Sequence, residues 1–255
     1  MEIRNFIKIY EESFARNWDL PALTDYTRNT TMTYGQLAQS IALAHTFYES
    51  VGIRPGDKIA LCGKDSSDWV RTYIGIVTYG AVVVPILADF NPIDITHIVN
   101  HSGATILAVQ ESIWEHMDPD SLVNVKAVFP LSGSEVLYEA DGQEIRRHMR
   151  LSRRRFNRKY PEGYGPNDVR YAERGNEQLA EINYTSGTTG FSKGVMLTGR
   201  NLAGNVCFGI ESKLHYRGSR ALSFLPLAHA YACAFDMLTP VSYTHLRAHE
   251  TLSDL

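Results

Sequence analysis

From about residue 31 onward, short apolar runs of strand character alternate with amphipathic helical stretches, and that alternation leaves the chain few possible folds. "TMTYGQLAQSIALAHTFYESVG" opens the series. Thr33 is placed to cap a helix carrying Leu37, Ile41, Ala44 and Tyr48 on one face, and Gly52 suits its C-terminal stop. The "RPGD" turn, Arg54 to Asp57, leads into "KIALCG", a short buried-strand pattern. A crossover helix follows in "SSDWVRTYIGIVTYGA", capped by Ser66 or Ser67, and the chain returns to strand in "VVVPI". Pro85 is expected to end that strand or hold it at a sheet edge, because proline brings no N–H to a ladder. The pattern recurs in "IDITHIVNHSG" with "ATILAVQ", then in "SIWEHM" with "VKAVFP". Parallel neighbours require crossovers of this kind, so the fold class is α/β, a mainly parallel sheet with covering helices.

A chain of 255 residues, 44% of them hydrophobic, has room for one large domain or two smaller ones with proper cores. Cys62, Cys207 and Cys233 are far apart and lack C-x-x-C spacing, so neither a disulfide framework nor a thiolate zinc site is suggested. A reducing cytoplasm fits that usage. The N-terminal "MEIRNFIKIYEESFARNW" interleaves charges with apolar residues and lacks the unbroken apolar core of a secretory signal. The most apolar stretch, Ile74 to Ala88, falls short of the ~20 residues of a spanning helix and contains Pro85, so it reads as buried helix plus strand.

Residues 130 to 178 are polar, turn-rich and poor in strand signals, as an insertion or inter-lobe segment would be. From Arg146 to Lys159 there are eight Lys/Arg and no Asp/Glu; without those eight, the remaining 17 basic residues face 28 acidic ones. Ile145, Met149, Ser152 and Phe156 can share one face of a helix with arginines on the other. Two readings follow: peripheral contact with an anionic membrane surface, or a solvated helix on an otherwise acidic protein, which is preferred. Nucleic acid is not an expected partner, since no aromatic stacking platform accompanies the arginines.

The segment "NYTSGTTGFSKGV", residues 183 to 195, follows the strand-like "LAEINYT" and precedes the apolar "VMLT". Its glycines at 187, 190 and 194 allow backbone conformations closed to other residues, so that successive amides can point into one concavity. Thr185, Ser186, Thr188 and Thr189 add hydroxyl donors, and Lys193 adds a mobile positive charge suited to phosphate. Together these describe a polyphosphate cradle. The order Ser192-Lys193-Gly194 is not that of G-x-x-x-x-G-K-[ST], and the dinucleotide G-x-G-x-x-G does not fit either. A flexible linker is the alternative, but a lone lysine between two strand patterns is unusual for one.

"YTSGTTGFSKGV" resembles the phosphate-loop signature of the adenylate-forming enzymes, which include acyl-CoA synthetases, peptide-synthetase adenylation domains and luciferases. "MTYGQL", "GIRPGDKIALCGKDSSDW", "YGAVVVPI" and "SFLPLAHAYACAFDM" are similar to further family segments and stand in the family's order, so that the likeness runs over about residues 15 to 240. Within the family, "GFSKGVMLTGRNLAGNV" and "FLPLAHAYACAFDM" look most like bacterial long-chain fatty acyl-CoA synthetases.

The resemblance implies a ligase that uses ATP, Mg2+ and CoA. A carboxylic acid attacks the α-phosphate to give acyl-AMP and pyrophosphate, and a thiol then takes the acyl group. It implies nucleotide contacts from Thr185, Ser186, Gly187, Thr188, Thr189, Gly190 and Lys193. It also places His229 of "LPLAHAY" beside the acyl pocket, as a positioning group rather than a proton carrier. On its residues alone, His229 reads as a satisfied, partly buried histidine at a strand-to-helix junction. Ala232 departs from the glycine or acidic residue that relatives often carry there.

The family's Tyr-Gly-x-Thr-Glu segment, ribose-binding aspartate, hinge and catalytic lysine are not in this sequence, so no catalytic residue is assigned and the chain alone is expected to be inactive. Residues 1–240 are expected to form part of an AMP-binding domain. Residues 241–255, "VSYTHLRAHETLSDL", look like nothing in the family and are expected to be a spurious tail. Apolar faces and strand edges left uncovered would make such a chain prone to aggregate.

Overall fold

The structure, a computed structural model, describes residues 2–26, 28–133, 135–185, 193–213, 215–216, 218–242 and 245–248. The first half runs α1 (Phe6–Arg16), β1 (Pro21–Asp25), β2 (Thr30–Thr33), α2 (Tyr34–Ser50), β3 (Lys58–Cys62), α3 (Ser67–Tyr79) and β4 (Val82–Ile86). Next come α4 (Pro92–Ser102), β5 (Ile106–Val109), α5 (Glu111–Trp114), β6 (Ala127–Pro130), β7 (Tyr138–Glu139) and α6 (Ile145–Lys159). The last part holds β8 (Leu179–Thr185), β9 (Lys193–Thr198), α7 (Gly199–Glu211), β10 (Arg220–Ser223), a π-helix (Ala232–Leu238), α8 (Thr239–Val241) and β11 (His245–Ala248).

Local chemistry sets the helix ends. Thr33 caps α2 by accepting the Gln36 N–H, and Gln36 returns the bond to the Thr33 N–H. After α2 the chain turns at Gly52 with φ +75°, a left-handed conformation that costs glycine nothing. Ser66, rather than Ser67, caps α3 through the Trp69 N–H.

Seven strands form a sheet in the order β7-β6-β5-β3-β4-β8-β9. The five inner strands are parallel, and the two edge strands, β7 and β9, are antiparallel to their neighbours. The mainly parallel α/β class holds. Pro85, however, lies inside β4, an inner strand flanked by β3 and β8, and not at an edge. The register of β4 with β8 is confined to Val83↔Glu181, so the missing N–H falls where that ladder has already stopped. A second sheet, β10-β11-β1-β2, has β11 parallel to both β10 and β1. Residues 245–248 thus supply an inner strand of this sheet, and Leu246 is fully buried.

Side chains alternate across the large sheet. Ile59 and Leu61 of β3 join one core with α1, α2, α3, α7 and the small sheet, whereas Ala60 and Cys62 join another beneath α4. Paired amides fix the N-terminus beside the approach to β8: Asn5 Nδ2 donates to the Arg174 carbonyl, and Asn176 Oδ1 accepts the Phe6 N–H. All three cysteines are free and buried.

In α6, Ile145, Ser152 and Phe156 are buried and Met149 packs against the core, leaving a solvent face dominated by arginine. The stripe that an interfacial helix would press into lipid is therefore already used by the fold. No helix among the described residues is long and apolar enough to cross a membrane.

One close approach in the core is testable. A Cβ on Gly209 of α7 would lie 2.6 Å from Cγ2 of the buried Thr239. Gly209→Ala is therefore expected to cost about 2 kcal/mol of stability through overpacking, read from urea unfolding monitored by circular dichroism.

Candidate functional site

The inner strands all run in one direction, so the carboxyl ends of β3, β4 and β8 lie along the same sheet edge. From β3 the chain crosses to β4 on one side, then returns past β3 to β5 on the other. Such a reversal opens a crevice at the strand ends, the customary place for a ligand in an open α/β sheet.

The expected phosphate-binding segment leaves this edge from β8. Thr185 ends β8 and Lys193 begins β9, and the two are directly paired in antiparallel register. Both are exposed. The hairpin therefore holds the lysine beside the threonine at the carboxyl end of β8. Ser186, Gly187, Thr188, Thr189 and Gly190 lie outside the described residues.

Two buried polar side chains attach residues 226–229 to the same edge. Asp65, just beyond β3, accepts the Leu227 N–H through Oδ1 at 2.9 Å. Asn183 of β8 donates through Nδ2 to the Ala228 carbonyl at 3.2 Å. His229 is the next residue, so it is carried to the end of β8 close to Thr185. Its side chain is exposed, which overturns the reading of a partly buried, satisfied histidine. The physical reason lies in the backbone: the His229 N–H donates to Pro226 and its carbonyl accepts from Cys233, which starts a helix and leaves the imidazole at the rim.

Beneath this rim lies a polar cluster with no direct access to solvent. Glu181, 1% exposed, accepts from the Tyr73 hydroxyl and from Asn183 Nδ2 at 2.9 Å. Cys233 Sγ lies 3.4 Å from the Tyr73 hydroxyl and 3.9 Å from the Glu181 carboxyl. Burial pushes the Glu181 carboxyl above its ordinary range, although its hydrogen bonds act the other way. Burial likewise pushes Asp65 up to about 7, with the Leu227 N–H opposing and Asp236 adding to the rise.

Glu181 and Asn183 share one face of β8 by strand alternation, and Thr185 continues that face. The cluster thus backs the strand that carries Thr185 into the Thr185–Lys193 hairpin. The π-helix carrying Cys233 and Asp236 packs against it; such wide turns concentrate at functional sites.

Asp65, Tyr73, Glu181, Asn183 and Cys233 were not recognised from sequence. The available signal was the pair of polar residues at 181 and 183 inside the otherwise apolar strand "LAEINYT". No spacing rule connects 65 with 227, or 73 with 233.

The sequence pattern of the family described as "AMP-binding enzyme" matches residues 10–244, most of the chain. The chain belongs to the AMP-binding enzyme family. It is 26% identical to a long-chain-fatty-acid–CoA ligase of Escherichia coli O6:H1 (strain CFT073) over 92% of its own length and 44% of the relative's. Among solved structures, an anthranilate–CoA ligase, AuaEII, in complex with anthranoyl-AMP superposes with a TM-score of 0.77 at 17% identity, over 100% of this chain and 46% of that one. A long-chain-fatty-acid–CoA ligase, FadD1, from Archaeoglobus fulgidus gives 0.75 at 19% identity, over 98% and 47%. At such identities these likenesses establish the fold alone. The chain spans less than half the length of these relatives.

Proposed function

We propose that this AMP-binding chain holds the phosphates of ATP, and part of the carboxylic-acid pocket, for an ATP-dependent carboxylate–CoA ligase acting on long-chain fatty acids. The observation that carries this reading is the hairpin pairing Thr185 with Lys193, seated at the crevice edge next to the tethered Ala228-His229 segment. A carboxylate is a poor acyl donor, and adenylation supplies a good leaving group; the transfer develops negative charge on the departing pyrophosphate that cationic donors must stabilise. Lys193 and the Thr185 hydroxyl stand where they can serve the phosphates, and His229 at the rim serves to orient the acid.

Among the described residues no three His, Cys, Asp or Glu side chains converge on a cation site. No step is assigned to the metal. For the 255-residue chain by itself we propose nucleotide binding without turnover, with CoA acting only in the longer enzyme.

Titration calorimetry with ATP and AMP tests the reading. Lys193→Ala is expected to weaken ATP at least tenfold and AMP much less, because AMP lacks the β- and γ-phosphates. Equal losses for both nucleotides, or no ATP binding by the unaltered chain, would defeat it. Robust ATP–pyrophosphate exchange by the purified chain would instead defeat the claim of no turnover.

A further inference from the structure

A cavity of about 570 Å³ lies among α2, α3, α6 and the large sheet, away from the crevice just described. Thr185, Lys193, Asp65, Glu181, Asn183 and His229 are not among its lining residues. Its floor, against the sheet and helices, is apolar and buried, with Ile41, Phe47, Ile59, Ile106, Phe129 and Phe156, and its open side is polar, with Gln39, Arg153 and Asn157 exposed. Protein interiors are close-packed, and a space of this size falls within the ~300–1,000 Å³ range of small-molecule sites rather than that of packing gaps.

The polar lining carries a single sign of charge. Arg71 of α3 donates to the Leu131 and Ser132 carbonyls at 2.8 and 3.1 Å and lies 3.1 Å from Asp68, so its guanidinium is held in place at the cavity wall. Across from α3, helix α6 contributes Met149, Arg153, Phe156 and Asn157, whose spacing forms one helical stripe. Arg153, Asn157 and Gln39 of α2 all line the cavity and make no hydrogen bond or ion pair with other described residues. Their donors are therefore available to a ligand, and no carboxylate lines the cavity to oppose an anion.

An apolar interior with arginines and amide donors in its wall suits a hydrocarbon chain that ends in a negatively charged head. A sugar or a polyphosphate would leave its polar groups against phenylalanine and isoleucine. A purely apolar ligand would leave Arg153 and the amides of Gln39 and Asn157 unused. We propose that this cavity is a second binding site, separate from the nucleotide crevice, for a single-chain amphiphile with an anionic head. Guanidinium forks pair equally well with a carboxylate and a phosphate, so the head can belong to a free fatty acid or to a monoacyl phosphate.

The test is isothermal titration calorimetry on the 255-residue chain without nucleotide; a fatty acid held in the proposed carboxylic-acid pocket would bind too, so the anion binding that falls with Arg153→Glu is what reports this cavity. The probes are dodecanoate, dodecyl phosphate and dodecanol, each kept below its aggregation concentration. Saturable one-to-one binding is expected for at least one anion, with dodecanol at least tenfold weaker; the tighter anion identifies the head group. Arg153→Glu and Gln39→Glu alter exposed, unpaired side chains and leave folding intact. Each is expected to weaken the anion at least fivefold, Arg153→Glu tenfold or more, while dodecanol binding is unchanged. Absence of saturable binding, equal affinity for dodecanol, or anion binding insensitive to Arg153→Glu would overturn the proposal.

Discussion

Glu181→Ala is expected to destabilise the chain by about 3 kcal/mol, whereas Glu181→Gln costs about 1 kcal/mol or less. Alanine removes the acceptor for two donors that have no route to water, the Tyr73 hydroxyl and the Asn183 amide. Each orphaned buried donor costs about 1–3 kcal/mol, and the space left by the side chain adds to that. Glutamine keeps a carbonyl for Asn183 and offers an amide that the Tyr73 hydroxyl can accept. Because burial already favours the uncharged carboxyl, little is lost with the charge. Urea unfolding of both variants at pH 6 measures the difference. If glutamine proved as damaging as alanine, the carboxylate charge itself would be the stabilising element. The cluster backs the strand that carries Thr185, so, on the proposed function, the alanine variant should also bind ATP more weakly at temperatures where it remains folded.

Stability should also fall as pH rises from about 4 to about 7, through Asp65. Its carboxyl is raised from 3.8 to about 7 in the fold, by burial first and by Asp236 next, while the unfolded chain ionises at the ordinary value. The unfolded state therefore binds fewer protons across that window, and the penalty grows until the folded group ionises as well. Below about pH 4 the contribution is fully present; above about pH 7 it is lost and the curve is flat. A shift of this size corresponds to as much as about 4 kcal/mol across the window. Asp65→Asn keeps an oxygen for the Leu227 N–H and has nothing to ionise, so it should flatten the profile and exceed the unaltered chain in stability at pH 8. Glu181 is raised in the same direction and adds a slope of the same sign. The informative quantity is accordingly the difference between chain and variant, from urea midpoints at pH 4.5 and pH 8. Parallel profiles would show that Asp65 is not the source.

Much of this architecture could be read along the chain because its determinants are local. The Thr33 capping box, the left-handed turn at Gly52, the Ser66 cap and the apolar runs of β3, β5 and β6 each depend on residues a few positions apart. The strands on either side of residues 186–192 were legible for the same reason, since Thr185 and Lys193 close a hairpin whose strands lie next to each other in sequence. Pro85 stands one residue before the end of β4, and the edge position expected as its alternative does not hold, because tolerance of proline depends on where the neighbouring ladder stops, and that neighbour, β8, lies about a hundred residues away.

The sequence by itself determined the capped start of α2, the alternation of helix and strand and the parallel character of the large sheet. Tertiary structure alone decided that Asp65 would meet Leu227, that Tyr73, Glu181 and Cys233 would share one buried cluster, and that His229 would stand at a rim rather than inside. It also decided that Arg153 of α6 would line a cavity. Those outcomes depend on which strands and helices become neighbours, and a buried carboxyl or an unpaired arginine acquires its meaning only from the groups that packing brings against it.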